Sequence, residues 1–255
     1  MKIVVLLKQT FDTEEKITLQ NGVVSEDGVK FVMNPYDEYA VEEAVKLRDE
    51  HGGSVTLLSV GPDRAAEALR TALAMGADEA VLISDERIPD DEYVISKVLY
   101  SYLNQENPDL ILGGNFSVDR GSGQVAIRLA ELLGIPHTSS ITKLTIEGTT
   151  AEVHRDAEGD LEVLRVTLPA LFTAQQGLND PRYPSLPGIM KAKKKPFKTL
   201  LLEDLDLTET DVQPATKQIE LTLPPERGAG KILKGDAENV ARELVGLLRT
   251  ESKVI

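Results

Sequence analysis

The sequence has no cysteine and no tryptophan, three histidines, and only 4% aromatic residues in 255 positions. Without cysteine there are no disulfides, no thiolate metal sites and no thiol nucleophile, and an intracellular compartment is the plain expectation. Zinc would have to be held by His51, His137, His154 and carboxylates, and these histidines are scattered through the chain, so no metal is expected. No apolar run approaches the ~20 residues that a membrane helix requires. The run Ile3-Val4-Val5-Leu6-Leu7 is too short for a signal segment and no small-residue cleavage site follows it, so a cytoplasmic chain outside the membrane is expected. Positive charge is the minority: 28 Lys+Arg against 42 Asp+Glu give a net charge of −14, which repels nucleic acid on average. Familiar catalytic and nucleotide signatures are also missing. There is no Gly-x-Ser-x-Gly elbow, no Gly-x-x-x-x-Gly-Lys-[Ser/Thr] and no Gly-x-Gly-x-x-Gly after the first apolar run.

What is present is an alternation of strand and helix patterns. Ile3 to Leu7 reads as a strand buried on both faces, and residues 17–32, with Asn21-Gly22 and Asp27-Gly28, as an excursion built on hairpin turns. Asn34-Pro35 opens a helix in which Asn34 is expected to cap. Ala40, Val41, Ala44 and Val45 are expected to face the core, with Glu42 and Lys46 paired on the other side. Further strands are expected at 55–60, 80–83 and 110–112, and helices at 63–75, 93–103 and 124–133. Four such repeats imply right-handed crossovers and an α/β, doubly wound, mostly parallel sheet. Strands at 141–146, 151–155, 161–168 and 171–173, joined by hairpins, are expected to extend that sheet in antiparallel fashion. No period persists for some twenty residues after Thr173. Beyond it, residues 199–255 carry an acidic stretch, Pro224-Pro225 and one amphipathic helix from about 236 to 249, which cannot bury a core alone.

Ligands in open parallel sheets bind beyond the carboxyl ends of the strands. The longest such end, residues 113–124, joins strand to helix with four glycines, two serines, Asn115, Asp119 and Arg120. Glycines let backbone amides approach a ligand, and amides at a helix start point free donors at a phosphate. The same residues also suit a flexible crossover whose glycines only shape turns. A catalytic histidine is not expected. The sharpest anomaly is a basic run, Lys191, Lys193, Lys194, Lys195 and Lys198, in a chain that is otherwise acidic. It reads as a surface that steers an acidic partner or as a solvated loop. With only Phe197 available for stacking, no nucleic-acid partner is expected. Just before it, Leu186 stands between Pro184 and Pro187, a stiffened segment suited to docking.

The run from Asn179 to Lys195, Asn-Asp-Pro-Arg-Tyr-Pro-Ser-Leu-Pro-Gly-Ile-Met-Lys-Ala-Lys-Lys-Lys, resembles the recognition loop of electron-transfer flavoprotein beta subunits. Met33-Asn34-Pro35, Ala40 to Ala44, Arg70 to Asp78 and Val153 to Glu162 resemble further blocks of that family, in the same order along the chain. The resemblance implies an adenine-nucleotide alpha-hydrolase-like fold in residues 1–190 and a C-terminal arm, 196–255, that packs on an alpha subunit in a heterodimer. It implies an electron carrier, not an enzyme with its own substrate, which passes electrons from acyl-CoA dehydrogenases and related enzymes to a quinone oxidoreductase. FAD would be held mainly by the alpha subunit, with Phe11 and Thr13 near it. A structural AMP would contact Leu6, Asn34, Pro35, Tyr36, Asp37, Val60, and the loop Gly114, Asn115, Phe116, Ser117, Val118, Asp119, Arg120, Gly121 and Ser122, with Gly123 and Gln124 opening the helix. Docking would use Leu186, Pro187, Ile189, Met190, Lys191 and Lys194. Two rival readings are a bifurcating subunit with a second FAD in place of AMP, and an AMP/ATP-binding sensor of the same fold. The Asp-Gly-Asp-Thr-type run typical of bifurcating relatives is absent here.

Overall fold

The computed structural model describes residues 1–225 and 228–255. The chain opens with β1 (Lys2–Leu6) and makes an excursion through four short strands, β2 (Gln9–Phe11), β3 (Leu19–Gln20), β4 (Val23–Val24) and β5 (Phe31–Met33). Asn21 and Gly22, both at positive φ, turn β3 into β4, the conformation that an Asn-Gly pair favours. It then alternates: α1 (Pro35–His51), β6 (Ser54–Val60), α2 (Ala66–Met75), β7 (Glu79–Ile83), α3 (Glu92–Glu106), β8 (Leu110–Gly114) and α4 (Gln124–Leu133). A meander of β9 (His137–Glu147), β10 (Thr150–Ala157) and β11 (Asp160–Thr167) follows, and then β12 (Ala170–Ala174), α5 (Leu186–Ala192), β13 (Phe197–Leu200) and α6 (Ala237–Leu247).

Nine strands form one sheet in the order β11-β10-β9-β12-β8-β1-β6-β7-β13. The α/β, mostly parallel architecture is the one expected. Alternate residues of β1 separate the two cores: Ile3 and Val5 pack with α1 and α2, whereas Val4 and Leu6 pack with α3 and α4. From β1 the chain builds outward through β6 and β7 and then returns to β8 on the other side. The strand order therefore reverses between β1 and β8, the kind of place where parallel sheets open a crevice.

Several expectations need correction. Residues 171–173 are not joined to the meander as a hairpin. Instead, β12 slots between β9 and β8 and runs parallel to both, fully buried, because a strand with no polar alternation belongs inside a sheet. The segment after Thr173 does hold a helix, α5, capped by the Ser185 hydroxyl, which accepts the Gly188 amide at 3.1 Å. It lies close on α2: a Cβ at Gly188 would sit 2.5 Å from the Ala74 carbonyl oxygen. The boundary placed at 196 falls inside the sheet domain, since β13 pairs with β7 and Leu202, Leu205 and Val212 are buried in the α3/α4 core. Beyond Val212 the chain changes character. Residues 213–225 and 228–236 form no helix or strand, and α6, capped by Asp236, buries none of its residues. Residues 226 and 227, within the expected arm, lie outside the described residues.

Glu42 does not pair with Lys46. Its side chain is buried, and Arg182 reaches it from the far end of the chain with Nε at 2.7 Å, Nη2 at 2.9 Å and the backbone amide at 3.1 Å. Burial works against the Glu42 charge, but the guanidinium and amide outweigh it and hold the carboxyl below its ordinary value. This pair fastens the segment leading to α5 onto α1.

Candidate functional site

The crevice at the reversal is a pocket between the ends of β1 and β8. Its apolar side comes from Leu6 and Leu58 on the strands and from Ile95, Leu99 and Ala126 on the two helices behind. Its polar side comes from Lys8, Asn34, Asp37 and the glycine loop. An apolar part beside a polar one is the combination that holds a ring and a polar tail together.

Asp37 organises the edge. Its carboxylate is buried and accepts three N–H groups: the Lys8 amide at 2.7 Å, the Asn34 side-chain amide at 2.9 Å and the Gly114 amide at 3.1 Å. One side chain thus joins the end of β1, the start of α1 and the end of β8. Burial pushes its pKa up to about 7, against the pull of those donors. Only glycine fits at 114, because a Cβ there would stand 2.2 Å from Asp37 Oδ1.

Asn34 makes no cap bond to α1, contrary to expectation. It is used sideways, donating to the Phe116 carbonyl at 3.0 Å and accepting the Val118 amide at 3.2 Å, and so pins the glycine loop to the helix start. Lys8 reaches the loop from β1 through an ion pair with Asp119 at 2.7 Å. This pairing holds the Asp119 carboxyl below its ordinary value even though burial opposes its charge.

At the loop's far end, α4 begins at Gln124 with Gly123 in the left-handed region and no side-chain cap. The starts of α1 and α2 likewise lack a side-chain cap, whereas α3, α5 and α6 are capped by Asp or Ser side chains. An uncapped helix start facing a pocket leaves first-turn amides free for an anion. The residues present therefore fit an adenylate: an apolar slot for the base, and the first-turn amides of α4 for a phosphate, since the amides of Gly114, Asn115, Val118, Arg120 and Gly121 already donate within the protein.

Most of the expected AMP contacts line this pocket: Leu6, Asn34, Asp37, Val60, Gly114 to Ser117, Arg120, and Ser122 to Gln124. Pro35, Tyr36, Val118, Asp119 and Gly121 do not. The Tyr36 ring lies 4.3 Å from that of Phe116, while Val118, Asp119 and Gly121 are exposed. Sequence reasoning missed Asp90, Glu92, Ile95 and Leu99 at the start of α3, which close the opposite wall. Phe11 and Thr13 are outside the pocket, on the excursion past Lys8. Phe11 lies 5.0 Å from Phe31, and Thr13 is exposed.

The docking candidates form a separate surface. Leu186, 80% exposed, opens α5, and Met190, Ile189 and Tyr183 beside it are also exposed. Lys191, Lys193, Lys194 and Lys198 follow them along the chain and are exposed. Lys195 does not belong with these. Its ammonium donates to the carbonyls of Leu73 at 2.9 Å and Ala77 at 2.5 Å, closing the end of α2, and burial pushes its pKa down.

The family model "Electron transfer flavoprotein domain" matches residues 21–205. The chain belongs to the electron transfer flavoprotein family, as a beta subunit. It is 58% identical to the electron transfer flavoprotein subunit beta of Bacillus subtilis (strain 168), over the whole of both chains. It is 39% identical to the corresponding subunit of Syntrophomonas wolfei, over 100% of this chain and 98% of that one. Acetobacterium woodii supplies a third relative, the caffeyl-CoA reductase-Etf complex subunit CarD, 37% identical over 98% of each chain. The resemblance drawn from the residues was therefore correct. Membership as a beta subunit of an electron transfer flavoprotein gives the chain a role in electron transfer and implies an alpha partner. Among the described residues, no helix is long and apolar enough to cross a membrane.

Proposed function

We propose that this beta subunit, paired with its alpha subunit in the cytoplasm, forms an electron carrier between acyl-CoA dehydrogenases and a quinone oxidoreductase. In this reading the alpha subunit holds most of the FAD and the pocket between β1 and β8 holds AMP. FAD supplies the one- and two-electron chemistry when bound. The chain's own residues supply shape and contacts: Phe11 and Thr13 on the excursion toward the flavin, the glycine loop around the adenylate, and α5 toward the dehydrogenase. The arm after Val212, with its unburied α6, packs on the alpha subunit. The uncapped start of α4 carries the adenylate reading, because it leaves anion-binding donors beside an apolar slot.

The decisive measurement is extraction of nucleotides from the copurified subunits. One FAD and one AMP are expected per pair, and one FAD with no adenylate overturns the pocket assignment. The relationship to a subunit of a caffeyl-CoA reductase complex favours a second reading, in which the same pocket takes another FAD and the pair bifurcates electrons. Two FAD and no AMP would establish it.

Leu186 is expected to insert into an apolar recess on the dehydrogenase while the exposed lysines that follow it steer the encounter with an acidic surface. Leu186→Ala should slow electron transfer from an acyl-CoA dehydrogenase about tenfold, the loss of a central apolar anchor worth roughly 1–2 kcal/mol. Flavin content and melting temperature should not change, since the side chain is 80% exposed. Stopped-flow reduction of the flavin by the reduced dehydrogenase reads this directly, and an unaltered rate rejects the docking role.

A further inference from the structure

Asp90, Asp91 and Glu92 are consecutive, yet their side chains serve two different neighbours. Asp90 and Glu92 line the pocket and grip the glycine loop. Arg120 donates to the Asp90 carbonyl at 3.0 Å and pairs with its carboxylate, and the Ser122 hydroxyl donates to Glu92 Oε1 at 2.7 Å. Asp91 turns the other way and is 3% exposed. Its Oδ1 caps α3 by accepting the Val94 amide at 3.0 Å, while Oδ2 accepts both the amide of Thr216 at 2.9 Å and its hydroxyl at 2.6 Å.

Thr216 stands at the root of the arm. Upstream, Val212 is buried and Lys97 donates to the Asp211 carbonyl at 2.6 Å. Among the described residues, none beyond Thr216 makes a hydrogen bond to the sheet domain. The direction in which the arm departs is therefore set at Asp91. A carboxylate that caps a helix with one oxygen has little freedom to follow the other, so it can hold Thr216 only while the 90–92 turn keeps its present shape. That shape is held in turn by Arg120 and Ser122, two residues of the loop that lines the pocket.

We infer that Asp91 is a positioning residue that couples occupancy of the pocket to the seating of the arm at Thr216. The inference rests on the adenylate reading of the pocket. A ligand that orders the loop fixes Arg120 and Ser122, these fix the turn, and the turn holds Thr216. By linkage, a seated Thr216 must strengthen ligand binding by the same factor. Because the arm is the segment offered to the alpha subunit in this reading, nucleotide occupancy biases how that segment is presented, without any contact between the ligand and the partner.

The test uses the copurified subunits stripped of nucleotide. Hydrogen exchange in the peptide containing Thr216 should slow at least about fivefold on saturation with AMP, the lower end of typical coupling between sites. Thr216→Val removes one bond to Asp91 while touching nothing in the pocket. It should weaken AMP binding by calorimetry about fivefold, and Thr216→Ser should restore it. A purely structural contact would leave AMP affinity the same in all three proteins. AMP binding with unchanged affinity across the series, and with exchange at Thr216 unmoved, overturns the coupling and leaves the adenylate reading intact. Absence of AMP binding to the unsubstituted protein overturns both.

Discussion

Asp37→Ala is expected to destabilise the sheet domain by roughly 3 kcal/mol, since it strands three N–H donors, one buried and two partly buried, at about 1–3 kcal/mol each, partly offset by release from desolvating a carboxylate. The donors belong to Lys8, Asn34 and Gly114, so a single truncation loosens β1, α1 and β8 where they meet. The loop that Asn34 pins should lose its hold on an adenylate as well, and AMP should be absent from the purified variant. Urea unfolding followed by circular dichroism measures the first effect and nucleotide extraction the second. A variant within about 1 kcal/mol of the unsubstituted protein would mean that the carboxylate does not hold β1, α1 and β8 together.

The same carboxyl makes a pH prediction with a definite sign. Burial raises its pKa in the folded chain from 3.8 to about 7, so the folded state holds this proton more tightly than the unfolded state does. The stabilisation from that proton is fully present below the unfolded value near 4 and is lost as pH rises through 7. Alanine cannot titrate. The stability gap between the unsubstituted protein and Asp37→Ala should therefore be largest near pH 4 and narrow by pH 8. A gap that widens with pH would show that the three donors prevail over burial and hold the carboxyl ionised.

The parallel sheet was legible because strands buried on both faces and helices with one apolar stripe each follow from local periodicity. Helix α4 is the clearest case, with Gln124 and Leu133 as its observed ends and Gly134 closing it. What eluded the sequence was decided by partners distant along the chain. Glu42 lies four residues before Lys46, which suits a surface pair, yet Arg182 claims it from 140 positions away. Asn34 has every local attribute of a helix cap, but the Phe116 carbonyl and Val118 amide compete for its side chain and win. The strand after the meander reads as one more antiparallel addition, and only the pairing of Leu171 with Ile111 puts it in the interior. The site divides in the same way. The glycine loop announces itself by composition, whereas Asp90 and Glu92 sit in an acidic turn whose relation to that loop is purely tertiary. Lys195 carried the same lesson for the basic run, where one of the five lysines proved to be a helix closure.

Gly114→Ala is expected to be as damaging as loss of Asp37, by the opposite route of adding an atom where none fits. The new Cβ would lie 2.2 Å from Asp37 Oδ1, 2.8 Å from Tyr36 Cβ and 2.9 Å from the Tyr36 carbonyl carbon. A side-chain oxygen can rotate away, but the backbone of α1 cannot, so β8 and the helix must separate. Overpacking of a close-packed contact costs about 1–3 kcal/mol, and here the shift also breaks the Gly114 amide bond to Asp37, for a total of roughly 3–4 kcal/mol. Gly121 provides the control. It sits in the loop that follows β8, at φ +70° with open space around its Cα, so Gly121→Ala should cost only the ~1–2 kcal/mol of holding alanine in the left-handed region. Each variant adds the same methyl group, one at the end of β8 and one in the loop after it. If the steric account is right, Gly114→Ala unfolds at markedly lower urea and loses its nucleotide, while Gly121→Ala shifts its midpoint slightly and keeps it. Equal midpoints would mean that α1 and β8 are not in the close contact that shapes the pocket.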